Sequence, residues 1–168
     1  MMVLLGGAGS CATGLSLRGK SESPTVVLDV RAEIAGAGGK VTVEVRNLAD
    51  DAIGVDLDSI RLRDGGGARY APLGAPQTFL RDGAKQVRRV PHGAVTVAPG
   101  GRQTIELDFE KLSATGSSYS LVLPQLYRLG IEGQVGLRAL RVPLVASAGG
   151  LPAVGGGVDG GYVDPFEQ

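Results

Sequence analysis

The side chains that could carry out nucleophilic catalysis are few and widely spaced. His92 is the only histidine in the 168-residue chain, and a histidine can act as a general base toward a serine hydroxyl. The serine-rich stretch 117–120 lies downstream, but no nucleophile motif surrounds it. Pro91 and Gly93 flank His92 and favour an exposed loop there. We therefore predict that the protein is not an enzyme and assign no catalytic residue.

Two pairs of acidic residues could bind a hard cation. Asp50 and Asp51 are adjacent, and Asp56 and Asp58 are two positions apart, so their carboxylates could offer oxygen ligands to Ca²⁺. The glycine and glutamate of a calcium-binding EF-hand loop are missing at the required spacing. In a strand, Asp56 and Asp58 would share one solvated face. We predict no metal site and no cofactor.

A small basic cluster lies in the segment 72–93, which prolines and glycines interrupt and which predicts a long loop. Arg81, Lys85, Arg88 and Arg89 could contact an anionic partner such as a lipid headgroup or a polysaccharide. The alternative is a solvated loop. Lys plus Arg and Asp plus Glu each total 17, and this zero net charge removes the electrostatic argument for nucleic acid. We predict no nucleic-acid partner.

Cys11 is the only cysteine, so no disulfide can form within the chain. It follows an apolar stub, Met1–Leu5, and a run of small residues. The segment Ala8-Gly9-Ser10-Cys11 resembles the lipobox of bacterial lipoproteins, in which the signal peptide is removed and the cysteine takes acyl chains such as palmitate. The resemblance implies lipid attachment at Cys11 and a membrane-anchored position in the cell envelope, on the periplasmic or cell-surface side. An uncleaved or non-lipid export signal and a cytosolic protein with an incidental cysteine are the alternatives.

The composition favours short strands and tight turns. Gly occurs 28 times, Pro 9 times and Trp not at all, so the core must come from aliphatic residues, and β-branched residues favour strands. No stretch after the N-terminus has the ~18 apolar residues that a transmembrane helix needs. Alternation of apolar and polar residues predicts burial of the following side chains: Val43, Val45, Ile53, Leu62, Ile105, Leu107 and Phe109.

About seven to nine strands with frequent turn signals predict an all-β, antiparallel sandwich, with a small open barrel as the alternative. Part of the sequence also resembles the immunoglobulin-like domain of unknown function found in many bacterial lipoproteins. The matching segments are Val41–Asn47, Ile53, Ile60–Gly65, Tyr70, Pro99-Gly100 and Ile105–Phe109. The resemblance implies an immunoglobulin-like β-sandwich and an exported location, and it carries over no catalytic residue.

The expected organisation has four parts: a signal-like segment (1–11), a tether (12–24), the sandwich (25–147) and a flexible Gly-rich tail (148–168). We expect a fragment from Pro24 to Ser147 to fold alone. The alternative for the tail is that Tyr162 and Phe166 dock it on an open sheet edge. The predicted function is a non-enzymatic, envelope-anchored lipoprotein that serves as a binding or structural module, with an envelope protein or polysaccharide as partner. The alternative is an envelope hydrolase, or an accessory subunit of an envelope enzyme or transport complex.

Overall fold

The structure is a computed structural model that describes residues 14–74, 77–82, 85–89, 93–112 and 118–147. Within these residues all regular secondary structure is antiparallel β-strand, which confirms the predicted all-β class. The strands are, in chain order, β1 (Leu15–Glu22), β2 (Val26–Ala35), β3 (Gly38–Asn47), β4 (Ala52–Asp56), β5 (Arg61–Asp64), β6 (Arg69–Tyr70), β7 (Gln77–Asp82), β8 (Lys85–Arg89), β9 (Ala94–Val97), β10 (Arg102–Glu110), β11 (Tyr119–Leu123), β12 (Leu126–Gly130), β13 (Gly133–Leu137) and β14 (Leu140–Ala146).

These strands form a larger and a smaller sheet. The larger sheet has ten strands in the order β6-β5-β11-β14-β1-β2-β3-β10-β7-β8, and the smaller has four in the order β13-β12-β4-β9. The chain crosses between the sheets repeatedly, since β3 leads into β4, β9 into β10 and β11 into β12. Side chains from both sheets therefore pack in one hydrophobic core, to which Val43 and Ile105 contribute from the larger sheet and Ile53 and Leu126 from the smaller.

The larger sheet curves strongly. The segment that follows β6 reaches β10, where the amide of Leu73 donates a 2.7 Å hydrogen bond to the carbonyl of Asp108. The same stretch of chain thus pairs first with β5, through β6, and then with β10, through Leu73 and β7. This double pairing brings the two ends of the larger sheet toward each other, so that the sheet approaches a barrel.

The alternation of apolar and polar residues correctly predicted which side chains are buried in the core. The seven side chains expected to be buried are all at most 2% exposed. β2 and β3 pair over their whole length, with Val30 opposite Val43. Because side chains alternate across a strand, this register directs the valines inward and leaves residues such as Asp29 and Glu44 on the outer face.

The predicted tether is wrong for most of its length. Leu15–Glu22 form β1, which pairs with β2 over eight positions and with β14 on its other edge. Leu17 is buried, whereas Gly19 allows β14 to approach closely, because a Cβ there would overlap the Pro143 carbonyl oxygen. Main-chain pairing on two edges stabilises this strand, and the sequence carries little hydrophobic signal for it.

The predicted long loop at 72–93 is also wrong in part, because β7 and β8 form an antiparallel hairpin beside β10. Register places Arg81 opposite Gln86 and Lys85 opposite Asp82. β8 is the last strand in the sheet order, and charged residues on an edge strand discourage pairing with another chain. The predicted basic cluster of Arg81, Lys85, Arg88 and Arg89 therefore lies on strands at the sheet edge. The predicted tail, 148–168, lies outside the described residues.

Candidate functional site: an arginine surface on the larger sheet

Four arginines share the outer face of the β6-β5-β11-β14 part of the larger sheet. Register places Val122 of β11 between Arg61 on β5 and Arg141 on β14. One row further along, Arg63 lies opposite Arg69 of β6. We call these four arginines, with Val122 at their centre, the arginine surface. Their inward neighbours, such as Leu62, Leu121 and Val142, are buried in the core, which fixes the outward direction of the arginines.

Two of these arginines are oriented by uncharged acceptors. Nη1 of Arg61 donates to the carbonyl oxygens of Asp58 (2.6 Å) and Ile60 (2.7 Å). Nε of Arg141 donates to Oγ of the buried Ser120 at 3.1 Å. These bonds hold the guanidinium groups in place, but they leave the positive charges uncompensated.

None of the four arginines forms a salt bridge with any residue that the structure describes. Several cations elsewhere on the sheets do have acidic partners: Lys40 pairs with Glu106 (3.2 Å), Arg102 with Glu44 (3.8 Å), Arg128 with Asp51 (3.3 Å) and Lys20 with Glu22, whereas Arg18, Arg31 and Arg46 form no salt bridge with a described residue. The chain has no net charge, so this surface concentrates positive charge locally.

This concentration of charge opposes folding. Like charges directly opposite each other on adjacent strands destabilise a sheet, and Arg63 faces Arg69 in this way. Adjacent strands are about 4.8 Å apart, so Arg61 and Arg141 sit across β11 at roughly twice that spacing. No ion pair among the described residues offsets this repulsion.

Three of the four arginines line a shallow depression of about 270 Å³. Val122 and Pro124 form its apolar part, and Arg61, Arg63 and Arg69 supply the charge. A ligand with an apolar face and anionic substituents matches this lining.

A second hollow of about 560 Å³ lies on the other side of β14 from β11. Arg138 and Arg141 line it together with the hydroxyl-bearing residues Ser21, Ser23 and Thr25. Arg141 belongs to the arginine surface, but the two hollows share no lining residue. The second hollow adds hydroxyl donors and acceptors to the guanidinium groups.

Two of the four acidic residues considered for calcium have other partners. β4 ends at Asp56, so Asp56 and Asp58 do not share a strand as predicted, and Oδ1 of Asp56 instead accepts a hydrogen bond from the Asp58 amide (3.1 Å). Oδ2 of Asp51 pairs with Nε of Arg128. Among the described residues, no three His, Cys, Asp or Glu side chains come close enough to hold a metal ion together.

Cys11 and His92 lie outside the described residues, and the side chains of Arg81, Lys85, Arg88 and Arg89 are also outside the description. Ser120, from the serine-rich stretch, is buried and accepts from Arg141. The arginine surface itself was missed by sequence reasoning. The alternation of Arg61 and Arg63 around Leu62 was the one local signal, but it does not reveal which distant strands lie beside them.

No family model matches the chain, and no curated protein sequence shows significant similarity to it. Within the part of the chain that the structure describes, no helix has the length and hydrophobicity to cross a membrane.

Proposed function

We propose that the protein is a non-enzymatic, lipid-anchored binding module of the cell envelope, which presents the arginine surface to an anionic partner. The observation that carries the binding function is the set of four arginines, two of them oriented by neutral acceptors and none neutralised by an acid within the described residues. A rigid sheet that holds uncompensated charge in fixed positions suits recognition of a ligand.

The anchor in this proposal is an acylated Cys11. Only three residues lie between Cys11 and Leu15, where β1 begins, so the Cα atoms of these two residues are at most about 14 Å apart. The lipid would therefore hold the domain close to the bilayer by the end at which β1 starts. Ala35 and Ser147 lie at this same end, since Leu15 pairs with Ile34 and the Ser147 amide bonds the Ser16 carbonyl. The arginine surface runs along the strands, so it would face sideways from the anchor.

We further propose that the fold belongs to the immunoglobulin-like class of β-sandwich. Two antiparallel sheets with one shared core support this assignment. The strong curvature of the larger sheet is a departure from the usual flat-layered sandwich. An experimental structure in which the larger sheet closes into a complete barrel would contradict the assignment.

Expression in the native host tests the anchor. The parent protein should fractionate with membranes and carry acyl chains on Cys11 by mass spectrometry, whereas Cys11→Ala should be soluble or remain unprocessed. Cys11→Ser also removes the thiol, because it replaces the sulfur by oxygen, and it serves as a second variant. An unmodified Cys11 behind an intact N-terminus would contradict the lipoprotein assignment.

A broad hydrolase screen of the full chain tests the non-enzymatic part of the proposal. We expect no turnover by the parent protein. Activity that disappears in His92→Ala, with the fold intact by circular dichroism, would replace the binding module with an envelope hydrolase.

A further inference from the structure

We propose that the arginine surface binds a carboxylate-bearing polysaccharide, with one acidic sugar residue seated in the depression at Val122. This inference rests on the proposed function, because it names the ligand class of the binding module. The guanidinium groups would pair with sugar carboxylates, while Val122 and Pro124 would contact the apolar face of a sugar ring.

Arginine suits this chemistry because its planar group offers two parallel N–H donors to one carboxylate. Arg61 and Arg141 use some donors on the Asp58, Ile60 and Ser120 oxygens, and their remaining donors have no partner among the described residues. Since these groups are already oriented, a ligand does not need to immobilise them, which lowers the entropic cost of binding.

The size of the two hollows favours a polymer. The depression of about 270 Å³ lies just below the usual range of small-molecule pockets, about 300–1,000 Å³, so it suits one sugar unit of a longer chain. The neighbouring hollow offers Arg138 and the hydroxyl groups of Ser21 and Thr25. These groups can hydrogen-bond the hydroxyls and carboxylates of further sugar units.

Other polyanions fit less well. Single-stranded nucleic acid is bound largely by stacking its bases on aromatic side chains, and no described aromatic residue lines either hollow. A bilayer presents a broad, flat surface, whereas Val122 lies in a depression between arginines. A thin, flexible chain can enter that depression and still reach the arginines on both sides.

Calorimetric titration of the full-length chain carrying Cys11→Ala, at low ionic strength, tests the proposal. The probes are oligogalacturonate, the same oligomer as its methyl ester, oligothymidylate, and vesicles of phosphatidylglycerol with phosphatidylcholine. We expect oligogalacturonate to bind, its uncharged ester to bind far more weakly, and the other two probes to bind less well than oligogalacturonate. Because Cys11→Ala is present throughout, a failure of the lipid anchor would leave this result unchanged.

A double variant of two arginines that form salt bridges elsewhere on the sheets is a matched control for a double variant within the arginine surface. Arg63→Gln with Arg69→Gln should weaken binding about tenfold or more, since charged hydrogen bonds to the ligand are lost. It should also unfold at the same or a higher temperature, because a like-charge pair is removed. Arg102→Gln with Arg128→Gln changes the net charge equally, but breaks ion pairs outside the surface, and should bind as the parent does.

Three results would overturn the proposal. The first is equal binding of oligogalacturonate and its methyl ester, and the second is an equal loss of affinity in the two double variants. The third is preferential binding of oligothymidylate or of the vesicles, which would assign the surface to nucleic acid or to a membrane.

Discussion

The Tyr70 hydroxyl donates a 2.9 Å hydrogen bond to Oδ2 of Asp64 and so joins the two strands of the β5–β6 hairpin. The second oxygen of Asp64, Oδ1, accepts from the Ala68 amide within the turn, also at 2.9 Å. The Tyr70 hydrogen bond, followed by bonds from turn amides, lowers the pKa of Asp64. The same bond to Asp64 raises the pKa of Tyr70.

This pair predicts a pH-dependent stability of the hairpin. The lowered pKa of Asp64 means that its contribution is present above about pH 4, the unfolded value, and disappears as the pH falls through the folded pKa. The raised pKa of Tyr70 means that its contribution is present below about pH 10 and disappears as the pH rises through its folded pKa. The melting temperatures of the parent and Tyr70→Phe should therefore differ most between these limits and converge outside them.

A double-mutant cycle isolates this coupling. Asp64→Ala, Tyr70→Phe and the double variant should show a favourable interaction near neutral pH that vanishes in acid and in strong base. A coupling that is constant across the whole range would show that the hydrogen bond does not form in solution.

Asn47 links two turns that are far apart in the sequence. Its side chain is 1% exposed, and Nδ2 donates to the carbonyls of Asp51 (2.8 Å), Val97 (3.1 Å) and Ala98 (3.1 Å). Oδ1 accepts from the amide of Ala49 at 2.9 Å. One amide side chain thus ties the β3–β4 turn to the β9–β10 turn, at the corner where the chain passes between the two sheets.

Removing this amide should be costly. Asn47→Ala leaves buried carbonyls without a donor, and we expect a loss of about 1–3 kcal/mol in the free energy of unfolding. Asn47→Asp retains the volume but places a carboxylate among carbonyl oxygens, so it should destabilise at least as much. The adjacent Leu48 is 51% exposed, and Leu48→Ala should change stability by less than about 0.5 kcal/mol in the same denaturant titration. Parent-like stability of Asn47→Asp would contradict the corner role.

The register of β10 predicts a contrast between its two faces. Phe109 is 2% exposed and lies opposite Gly39, whereas Glu106 faces outward and pairs with Lys40. Phe109→Ala should cost about 3–5 kcal/mol through lost burial and a residual cavity. Glu106→Ala removes one partly exposed ion pair and should cost less than about 1 kcal/mol. Thermal melts of the two variants provide the measurement. Equal decreases in melting temperature would mean that the pairing register of β10 is shifted by one residue.

The strands that could be predicted from the sequence are those in which apolar and polar residues alternate clearly. β2, β3 and β10 alternate clearly, because one face of each packs on the core, and their buried residues were identified correctly. β1 has only Leu15 and Leu17 on its inward positions, followed by Gly19 and Ser21. Such a strand depends on its neighbours for main-chain hydrogen bonds, so local alternation does not reveal it.

The arginine surface shows the same limit for the candidate site. Arg61 and Arg141 are brought to either side of Val122 by the pairing of β5, β11 and β14. No short motif encodes this arrangement, because its members come from three separate stretches of the chain. The four cations of the predicted basic cluster were conspicuous only because they are close in sequence.

The close contact between β1 and β14 at Gly19 leaves no room for a larger side chain at this position. A Cβ at this position would lie 2.8 Å from side-chain carbons of Val142 and Leu144 and would overlap the carbonyl oxygen of Pro143. Gly19→Val should therefore cost about 1–3 kcal/mol or more through overpacking. Ser16→Val adds the same kind of side chain on the exposed face of the strand and should be nearly neutral. A neutral Gly19→Val in denaturant titration would show that β14 does not approach β1 so closely.

Deletion of β1 tests whether residues 15–22 are a strand that stabilises the fold or a tether that does not. A chain that begins at Gly14 retains β1, whereas one that begins at Pro24 loses Leu17 from the core and exposes the facing edges of β2 and β14. Burial of one leucine contributes roughly 1.5–3 kcal/mol, and the eight paired positions with β2 lose their main-chain partners as well. Since a domain has only about 5–15 kcal/mol of stability, the shorter chain should unfold at a markedly lower temperature or aggregate through its open edges. Equal melting temperatures for the two chains would return residues 15–22 to the role of a tether.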